Sequence, residues 1–255
     1  MATLFENVPL LKTLRESVFL SATITDISPL TPRMRRLRVA GDQLRQLAWT
    51  PGQHVRLQVA GLLESALRRH PHDALRTYSI YAADPDRGTL DLAMLDHDGD
   101  PGRETPARLW ASTAAVGDRI SMTRPQGRFT IRADARYHLF AGEETASVAF
   151  AAMLRSLPAE VAVYGVIEGA AEVDHIPLSR NLSHVERGRA SAADSAVLAH
   201  AVRHLALPDE PGVAYLAGEA RTIQTLRRIL VEERGWNRRD IRTKPFWTPD
   251  RRGME

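Results

Sequence analysis

The sequence predicts a two-domain fold, an antiparallel β-barrel followed by an α/β domain built on a parallel sheet. The chain has 255 residues, enough for two domains of ordinary size. Up to about residue 132, short strands of alternating polar and apolar residues are separated by turns, which is typical of a small barrel. Beyond residue 132, apolar strands alternate with helical patterns, which indicates a parallel sheet with helices on both faces. We therefore divide the chain into domains 1–132 and 133–255.

The first domain is predicted to contain a terminal helix, six strands and an internal helix. Residues 1–16 have the spacing of a short amphipathic helix. A second helix is expected near residues 106–114, because Thr105 is a good cap and Pro106 suits the first helical position. The six runs with the period-two alternation of half-buried strands are residues 18–27, 34–39, 54–59, 77–81, 89–95 and 116–122.

The second domain is predicted to alternate strands and helices. Two of its strands end in glycine, at Gly142 and Gly218, and a helical pattern follows each glycine. Ligands of open α/β sheets bind at the carboxyl ends of the strands, so both turns lie where a ligand is expected. The segment 175–194 is polar and is predicted to be irregular. The predicted strands are 137–142, 161–167, 213–218 and 240–246, and the predicted helices are 145–157, 195–205 and 220–233.

Composition excludes several classes of protein. The chain has no cysteine, which excludes disulfides, Cys-ligated zinc, Cys-bound iron–sulfur clusters and a cysteine nucleophile. The nine histidines form no set of three at metal-ligand spacing, so we expect no metal held by protein ligands. The net charge is +3 and aromatic residues make up 6%. Because the arginines are scattered rather than arranged in a stripe, we expect no nucleic-acid binding.

Apolar patterning also indicates location and assembly. No apolar run approaches the ~20 residues that cross a bilayer, so no membrane insertion is expected. The first twenty residues lack the basic-then-apolar order of a signal peptide, and we expect a cytoplasmic protein. No exposed apolar stripe stands out, so we expect a monomer.

Arg76-Thr77-Tyr78-Ser79 is the first motif with chemical content. An arginine can clamp a diphosphate, a tyrosine can lie flat against a flavin ring, and a hydroxyl can hydrogen-bond a ring atom. A loop containing His97 and Gly99 then leads to the helix that begins at Pro106. A helix N-terminus that follows a flexible loop is a natural diphosphate site. The motif alone also occurs in ordinary strands, so it gains weight only in combination with other motifs of the chain.

Three further segments complete a series. They are Gly142-Glu143-Glu144-Thr145-Ala146, Ala217-Gly218-Glu219-Ala220 and Lys244-Pro245-Phe246-Trp247. In this order and at these spacings, the motifs resemble the siderophore-interacting protein family, the ferric-siderophore reductases of the ferredoxin–NADP reductase superfamily. The resemblance extends from about Val18 to Gly253. It implies an FAD-binding barrel followed by a NAD(P)-binding-like α/β domain.

The resemblance implies roles for the residues that match the family's motifs. Two glycines of the family pattern are replaced by Asp98 and Thr105, and a serine by Arg108, which alters the phosphate-binding segment. The implied cofactor-binding residues are Arg76, Thr77, Tyr78, Ser79, His97, Gly99, Thr105, Ala107, Arg108, Trp110, Glu144, Thr145, Gly218, Glu219 and Trp247. The basic residues expected to bind an anionic iron chelate are Arg56, Arg128 and Lys244, which is one of only two lysines in the chain.

The function implied by the resemblance is reduction of ferric iron in a siderophore complex. Electrons pass from NAD(P)H, or from a ferredoxin, to FAD and then to Fe³⁺, and Fe²⁺ is released in the cytoplasm. No residue is needed as a general acid or base. Two alternatives stay open. One is a flavin reductase for another soluble acceptor, and the other is a non-catalytic chelate- or nucleotide-binding protein that has lost its flavin.

Overall fold

The computed structural model describes residues 19–60, 74–96 and 106–249, with the backbone alone described at 106–108. The predicted N-terminal helix, residues 1–16, lies outside the described residues. The chain divides into two compact units between Gly127 and Arg128, whereas the sequence placed the division after residue 132. Phe129 is buried in the core of the second unit, and the backbone N–H of Arg132 donates to the Tyr215 hydroxyl (2.8 Å). These contacts assign residues 128–132 to the second unit.

A closed antiparallel barrel forms the first unit and confirms the predicted barrel. Its described elements are β1 (Phe19–Thr31), β2 (Met34–Ala40), β3 (His54–Gln58), β4 (Leu75–Asp84), β5 (Thr89–Leu95), α1 (Pro106–Thr113) and β6 (Arg119–Thr123). Around the barrel the strands follow the order β1-β2-β5-β4-β3-β6.

Alternation along β2 shows how the barrel separates an apolar interior from a polar exterior. On β2, Leu37 and Val39 are buried in the barrel core, while Arg38 between them lies on the opposite face. Its guanidinium donates two hydrogen bonds, of 2.7 and 2.8 Å, to the buried carboxylate of Asp91 on β5. The inner face is therefore apolar, and ion pairs between neighbouring strands line the outer face.

A parallel sheet with helices on both faces forms the second unit, which confirms the predicted α/β architecture. Its described elements are β7 (Tyr137–Glu143), α2 (Glu144–Ser156), β8 (Ala162–Gly169), β9 (Ser183–Glu186), α3 (Ala196–His204), β10 (Val213–Glu219), α4 (Ala220–Arg228) and β11 (Ile241–Trp247). The strand order is β11-β10-β7-β8-β9, and each neighbouring pair is parallel.

The central strands of this sheet are buried on both faces, which explains their uninterrupted apolar runs. On β7, Leu139 and Ala141 face the core that α3 and α4 complete. Phe140, between them, faces a second core, where it packs against Phe150 of α2.

The edge strand β9 lies in the segment that the sequence predicted to be irregular, so that prediction was wrong for residues 183–186. Three of its four residues are exposed, and the strand therefore lacks an apolar pattern. Backbone pairing with β8 holds it in place, with Val166 opposite Ser183.

Candidate functional site

The motif Arg76-Thr77-Tyr78-Ser79 lies on β4, between β3 and β5. Ile80 is fully buried in the barrel core, so alternation places Arg76 and Tyr78 on the core side and Thr77 and Ser79 on the other. All four side chains are nevertheless partly exposed. This stretch of β4 thus presents a surface that no described residue covers completely.

Tyr78 and its neighbours have the chemistry that a flavin requires. The Tyr78 ring packs partly buried against the barrel core. Burial raises the pKa of its phenol to about 12, opposed by the positive charges of Arg76 and Arg35. The phenol is therefore neutral at physiological pH. A flat ring, a neutral hydroxyl and a nearby guanidinium suit a planar heterocycle that carries a diphosphate.

Arg56 lies on β3, directly opposite Thr77 in the strand register. Its backbone N–H donates to Oγ1 of Thr123 on β6 (3.0 Å). The preceding residue but one, His54, is buried, and Gly127 packs so close to it that a Cβ there would lie 2.8 Å from the imidazole. Arg56 is therefore held on a tightly packed strand, on the same face as Thr77 and Ser79.

Helix α1 follows the predicted phosphate-binding segment, and Arg35 anchors it. The Arg35 guanidinium donates to both carboxylate oxygens of Asp96 (3.0 and 2.9 Å) and to the carbonyl oxygen of Ala111 (2.9 Å). Asp96 precedes that segment in the sequence and Ala111 follows it. The Arg35 side chain therefore binds a residue on each flank of the segment. Trp110 packs partly buried against the barrel core. The predicted residues His97, Gly99 and Thr105, and the side chains of Ala107 and Arg108, lie outside the described part.

Three predicted motifs of the second unit meet at the carboxyl ends of its parallel strands, which we call the carboxyl-terminal edge of the sheet. Gly142 on β7 lies opposite Ala217 on β10, and Glu219 lies opposite Trp247 on β11. A Cβ on Gly142 would lie 2.2 Å from the Ala217 carbonyl oxygen, so glycine is required where the two strands approach. The carboxyl ends of β7, β10 and β11 therefore bring Thr145, Gly218, Glu219 and Trp247 together.

Glu143 is a buried carboxylate at the centre of this edge. It caps α2, because Oε2 accepts from the backbone N–H of Thr145 (2.8 Å), and the Thr145 hydroxyl also donates to it. Oε1 accepts from the indole Nε1 of Trp247 (3.0 Å). Burial and the charge of Glu144 raise the pKa of Glu143 to about 7, against the effect of these hydrogen bonds.

Glu219 has the same position at the end of β10. Its Oε2 accepts from the backbone N–H of Thr222 (2.9 Å), which caps α4, and Oε1 accepts from the Thr248 hydroxyl (2.9 Å). Burial opposes ionisation of Glu219, but the hydrogen bonds from Thr222, Arg221 and Thr248 outweigh it and lower the pKa. Glu219 is therefore ionised at neutral pH.

Glu144 belongs to a second buried network. Its carboxylate accepts from the guanidinium of Arg187 (2.5 Å from Nη1 to Oε2), and the same Nη1 lies 3.5 Å from Oε1 of Glu168. The Ser195 hydroxyl donates to Glu168, while its oxygen accepts from the Leu198 backbone N–H (3.1 Å) and caps α3. Sequence reasoning missed Glu168, Arg187 and Ser195. An acidic residue at the end of an apolar strand, as in Val166-Ile167-Glu168-Gly169, was the available signal.

Two of the predicted chelate-binding residues lie in the second unit. Arg128 is exposed, and its carbonyl oxygen accepts from the Arg242 guanidinium (3.0 Å). Lys244 lies on β11, partly exposed, opposite Ala217. Within the described residues, no group of three or more His, Asp or Glu side chains is placed to hold a metal ion. No helix in that part of the chain is long and apolar enough to cross a membrane.

Comparison with protein families decides the identity of the fold. Residues 23–129 match the model of the siderophore-interacting FAD-binding domain, and residues 135–250 match the model of the siderophore-interacting protein. The chain belongs to the siderophore-interacting protein family. The first unit is therefore the family's FAD-binding domain.

Relatives of this siderophore-interacting protein include enzymes and solved structures. Ferric vibriobactin reductase ViuB of Vibrio cholerae is 27% identical over 215 residues, which are 77% of this chain and 76% of that protein. The siderophore-interacting protein from Acinetobacter baumannii is 20% identical, with a TM-score of 0.76 over 91% of each chain. A siderophore utilization protein from T. fusca is 23% identical, with a TM-score of 0.76 over 93% of this chain and 95% of that one. The two structures share the two-domain fold.

Proposed function

We propose that this siderophore-interacting protein is an FAD-dependent NAD(P)H:ferric-siderophore oxidoreductase that releases Fe²⁺ in the cytoplasm. The alignment with a ferric vibriobactin reductase carries the proposal, because it spans 77% of this chain and 76% of that protein. An alignment of 215 residues is longer than either unit, so it includes parts of both.

Residues of the first unit fit FAD. The partly open stretch of β4 offers the Tyr78 ring for the isoalloxazine and, on the same face, the Arg76 guanidinium for the diphosphate, while Ser79 on the opposite face contributes through its backbone groups. The Arg35 anchor holds both sides of the segment that carries His97, Gly99 and Thr105, the other implied phosphate-binding residues. Bound FAD supplies a carrier that takes up two electrons together and gives them up singly.

The reaction balances with two chelates for each donor molecule. NAD(P)H loses a hydride, which carries two electrons, and each Fe³⁺ takes one. One NAD(P)H and two ferric chelates therefore yield NAD(P)⁺, a proton and two Fe²⁺. Siderophores hold Fe²⁺ far less tightly than Fe³⁺, so reduction frees the metal. No described side chain is required as a general acid or base, and the protein binds and orients the reactants.

Electrostatic attraction is the proposed basis of chelate binding. Arg56, Arg128 and Lys244 would hold the negatively charged complex, with an affinity that falls as salt rises. On the second unit, Glu144, Thr145, Gly218 and Glu219 are the residues proposed for the donor, and Trp247 is the remaining residue proposed for cofactor binding. We propose that the protein is a monomer. A reduced ferredoxin is the alternative electron donor to be tested.

The first test is the visible spectrum of the purified protein, before and after addition of FAD and removal of the excess. Retained bands near ~370 and ~450 nm are expected, since oxidised flavin absorbs there. NADH, NADPH and reduced ferredoxin are then supplied in turn with a ferric siderophore under anaerobic conditions, and an Fe²⁺-specific dye reports the product. A protein that retains no flavin after reconstitution overturns the proposal.

Acceptor competition separates the proposal from a general flavin reductase. A quinone, a dye and a ferric siderophore are compared at equal concentration with the same donor. The proposal predicts the highest kcat/KM for the ferric siderophore, and a charge-removing Arg56→Gln variant should raise KM for the chelate while leaving flavin reduction by the donor unchanged.

A further inference from the structure

We propose that Glu143 and Glu219 are specificity-determining residues that keep the phosphates of the electron donor away from the helix N-termini at the edge of the second unit's sheet. The inference rests on the proposed function, because it concerns how this unit receives its donor. Glu143 was not among the predicted cofactor-binding residues, and Glu219 was predicted there as a contact rather than as a source of repulsion.

The strand-to-helix turns at Glu143 and Glu219 resemble the turn of a dinucleotide-binding fold, but a carboxylate of the chain lies where the pyrophosphate would bind. In dinucleotide-binding folds, the helix after a strand presents backbone N–H groups to the pyrophosphate. Here the Thr145 N–H donates to Glu143 and the Thr222 N–H donates to Glu219, at 2.8 and 2.9 Å. Each helix N-terminus is therefore already capped by a carboxylate of the chain.

The surroundings of Gly218 show that the space at this turn is occupied, in addition to the hydrogen-bond donors of the helix N-termini. A glycine at such a turn allows a phosphate to approach the backbone. Gly218 has φ +121°, and a Cβ on it would lie 2.7 Å from Oε1 of Glu143. The clearance that this glycine provides is taken up by the carboxylate from the neighbouring strand.

The negative charge of the two carboxylates would also repel a diphosphate, in addition to their occupation of the turns. Glu219 is ionised at neutral pH, because the hydrogen bonds that it accepts lower its pKa. Glu143 is surrounded by the carboxylate of Glu144 on α2, by Gly218 on β10 and by the Trp247 indole on β11, and Arg187 is the cation that faces it. Both oxygens of Glu144 are bound by Arg187, which compensates that cation. A diphosphate therefore meets the negative charge of Glu219 at neutral pH, and also that of Glu143 as the pH rises above about 7.

Charge-neutral variants test the proposal by a gain of affinity. Glu219→Gln keeps an oxygen for the Thr222 N–H, and the Thr248 hydroxyl can reverse its hydrogen bond, so the fold is retained. Removal of one charge near a diphosphate should tighten binding of NAD⁺ and of inorganic pyrophosphate about tenfold. Glu143→Gln should act in the same direction. The control is Glu210→Gln, which removes an exposed charge that precedes β10, at the other edge of the sheet.

Titration of NAD⁺ against pH distinguishes the two carboxylates, because the NAD⁺ phosphates do not change charge between pH 6 and 8. Wild-type affinity for NAD⁺ should weaken as pH rises through about 7, as Glu143 ionises. Glu143→Gln should abolish this dependence, Glu143→Asp should keep it, and Glu219→Gln should leave its shape unchanged.

Calorimetry on the purified full-length protein gives each dissociation constant without turnover. Unchanged or weaker NAD⁺ and pyrophosphate binding by Glu219→Gln overturns the inference, since a carboxylate that bound a donor hydroxyl would give a loss. If neither NADH nor NADPH reduces the flavin but pyrophosphate binding tightens in the variants, the donor part of the proposed function fails and the inference stands.

Discussion

Glu143 and Trp247 are joined by a hydrogen bond of 3.0 Å between the carboxylate Oε1 and the indole Nε1, across 104 residues of sequence. The bond ties the last residue of β7 to the last residue of β11, with β10 between them. It links two sequence motifs that were recognised separately. The buried carboxylate therefore depends on a donor from the far side of the neighbouring strand.

Removal of that donor should destabilise the second unit. Trp247→Phe leaves the buried Glu143 with one hydrogen bond fewer, and such a loss costs about 1–3 kcal/mol. We expect a correspondingly lower urea midpoint, followed by far-UV circular dichroism. A double-mutant cycle with Glu143→Ala, which offers no acceptor to the indole, isolates the pair, and a coupling energy near zero would contradict the prediction.

Gly218→Ala should be more harmful than an alanine at a comparable glycine. Its φ of +121° imposes backbone strain of about 1–3 kcal/mol on alanine, and the new Cβ also meets Glu143. Gly117 is the matched control, because its φ is +100° and a Cβ there meets nothing within 4 Å. The measurement is the difference in unfolding free energy between the two variants. Equal losses would show that the Glu143 contact has no effect.

Arg35→Lys should weaken FAD binding. Lysine keeps the charge but cannot bind both oxygens of Asp96 and the Ala111 carbonyl at once. The segment between them then loses its anchor, and we expect roughly fivefold weaker binding. Fluorescence quenching of added FAD measures it. Arg36→Lys is the control, since Arg36 pairs with Asp26 at the same distance and with nearly the same exposure. A similar change in both variants would rule out a specific anchor.

Acid should destabilise the protein through His138. Burial and the charge of Arg132 lower the pKa of this histidine, and its Nδ1 has no hydrogen-bond partner in the described part of the chain. The unfolded state then binds the proton more readily. The stabilisation is therefore complete above the ordinary pKa of 6.5 and is lost as pH falls below it.

Urea midpoints between pH 5 and 8 test this dependence. Wild-type stability should fall below pH 6.5, and His138→Asn should reduce the slope. His175 contributes a residual slope of the same sign, because burial and His184 also lower its pKa. His200→Gln, at an exposed position of α3, is the control for the removal of a histidine. If the dependence of the urea midpoint on pH is unchanged in His138→Asn, protonation of another group causes the loss of stability in acid.

Apolar periodicity predicted the strands that matter most for the architecture. β7 and β10 are buried on both faces, and their unbroken apolar runs identify them. β9 carries no such pattern because three of its four side chains are exposed. Its position depends on backbone pairing with β8, which the side-chain sequence does not encode.

The motifs contain residues that the structure brings together at the carboxyl ends of the strands, but motif order did not predict that meeting or what the side chains do there. Thr145, Glu219 and Trp247 do lie together. The carboxylate of Glu143 fills the turn between them, and this contact depends on the register of β7 against β10, which no local pattern specifies. The pairing of Glu144 with Arg187 likewise joins residues 43 positions apart. Long-range side-chain contacts of this kind became visible only in the folded chain.

Strand and helix are directly continuous at this edge, since Glu143 ends β7 and Glu144 begins α2, and Glu219 ends β10 and Ala220 begins α4. No connecting residues lie between strand and helix that could be extended into a longer loop. An exchange of side chains at positions 143 and 219 therefore changes the chemistry of these two turns without changing their length. An inserted phosphate-binding loop would displace the capped first turn of the helix and the strand register that Gly142 and Ala217 define.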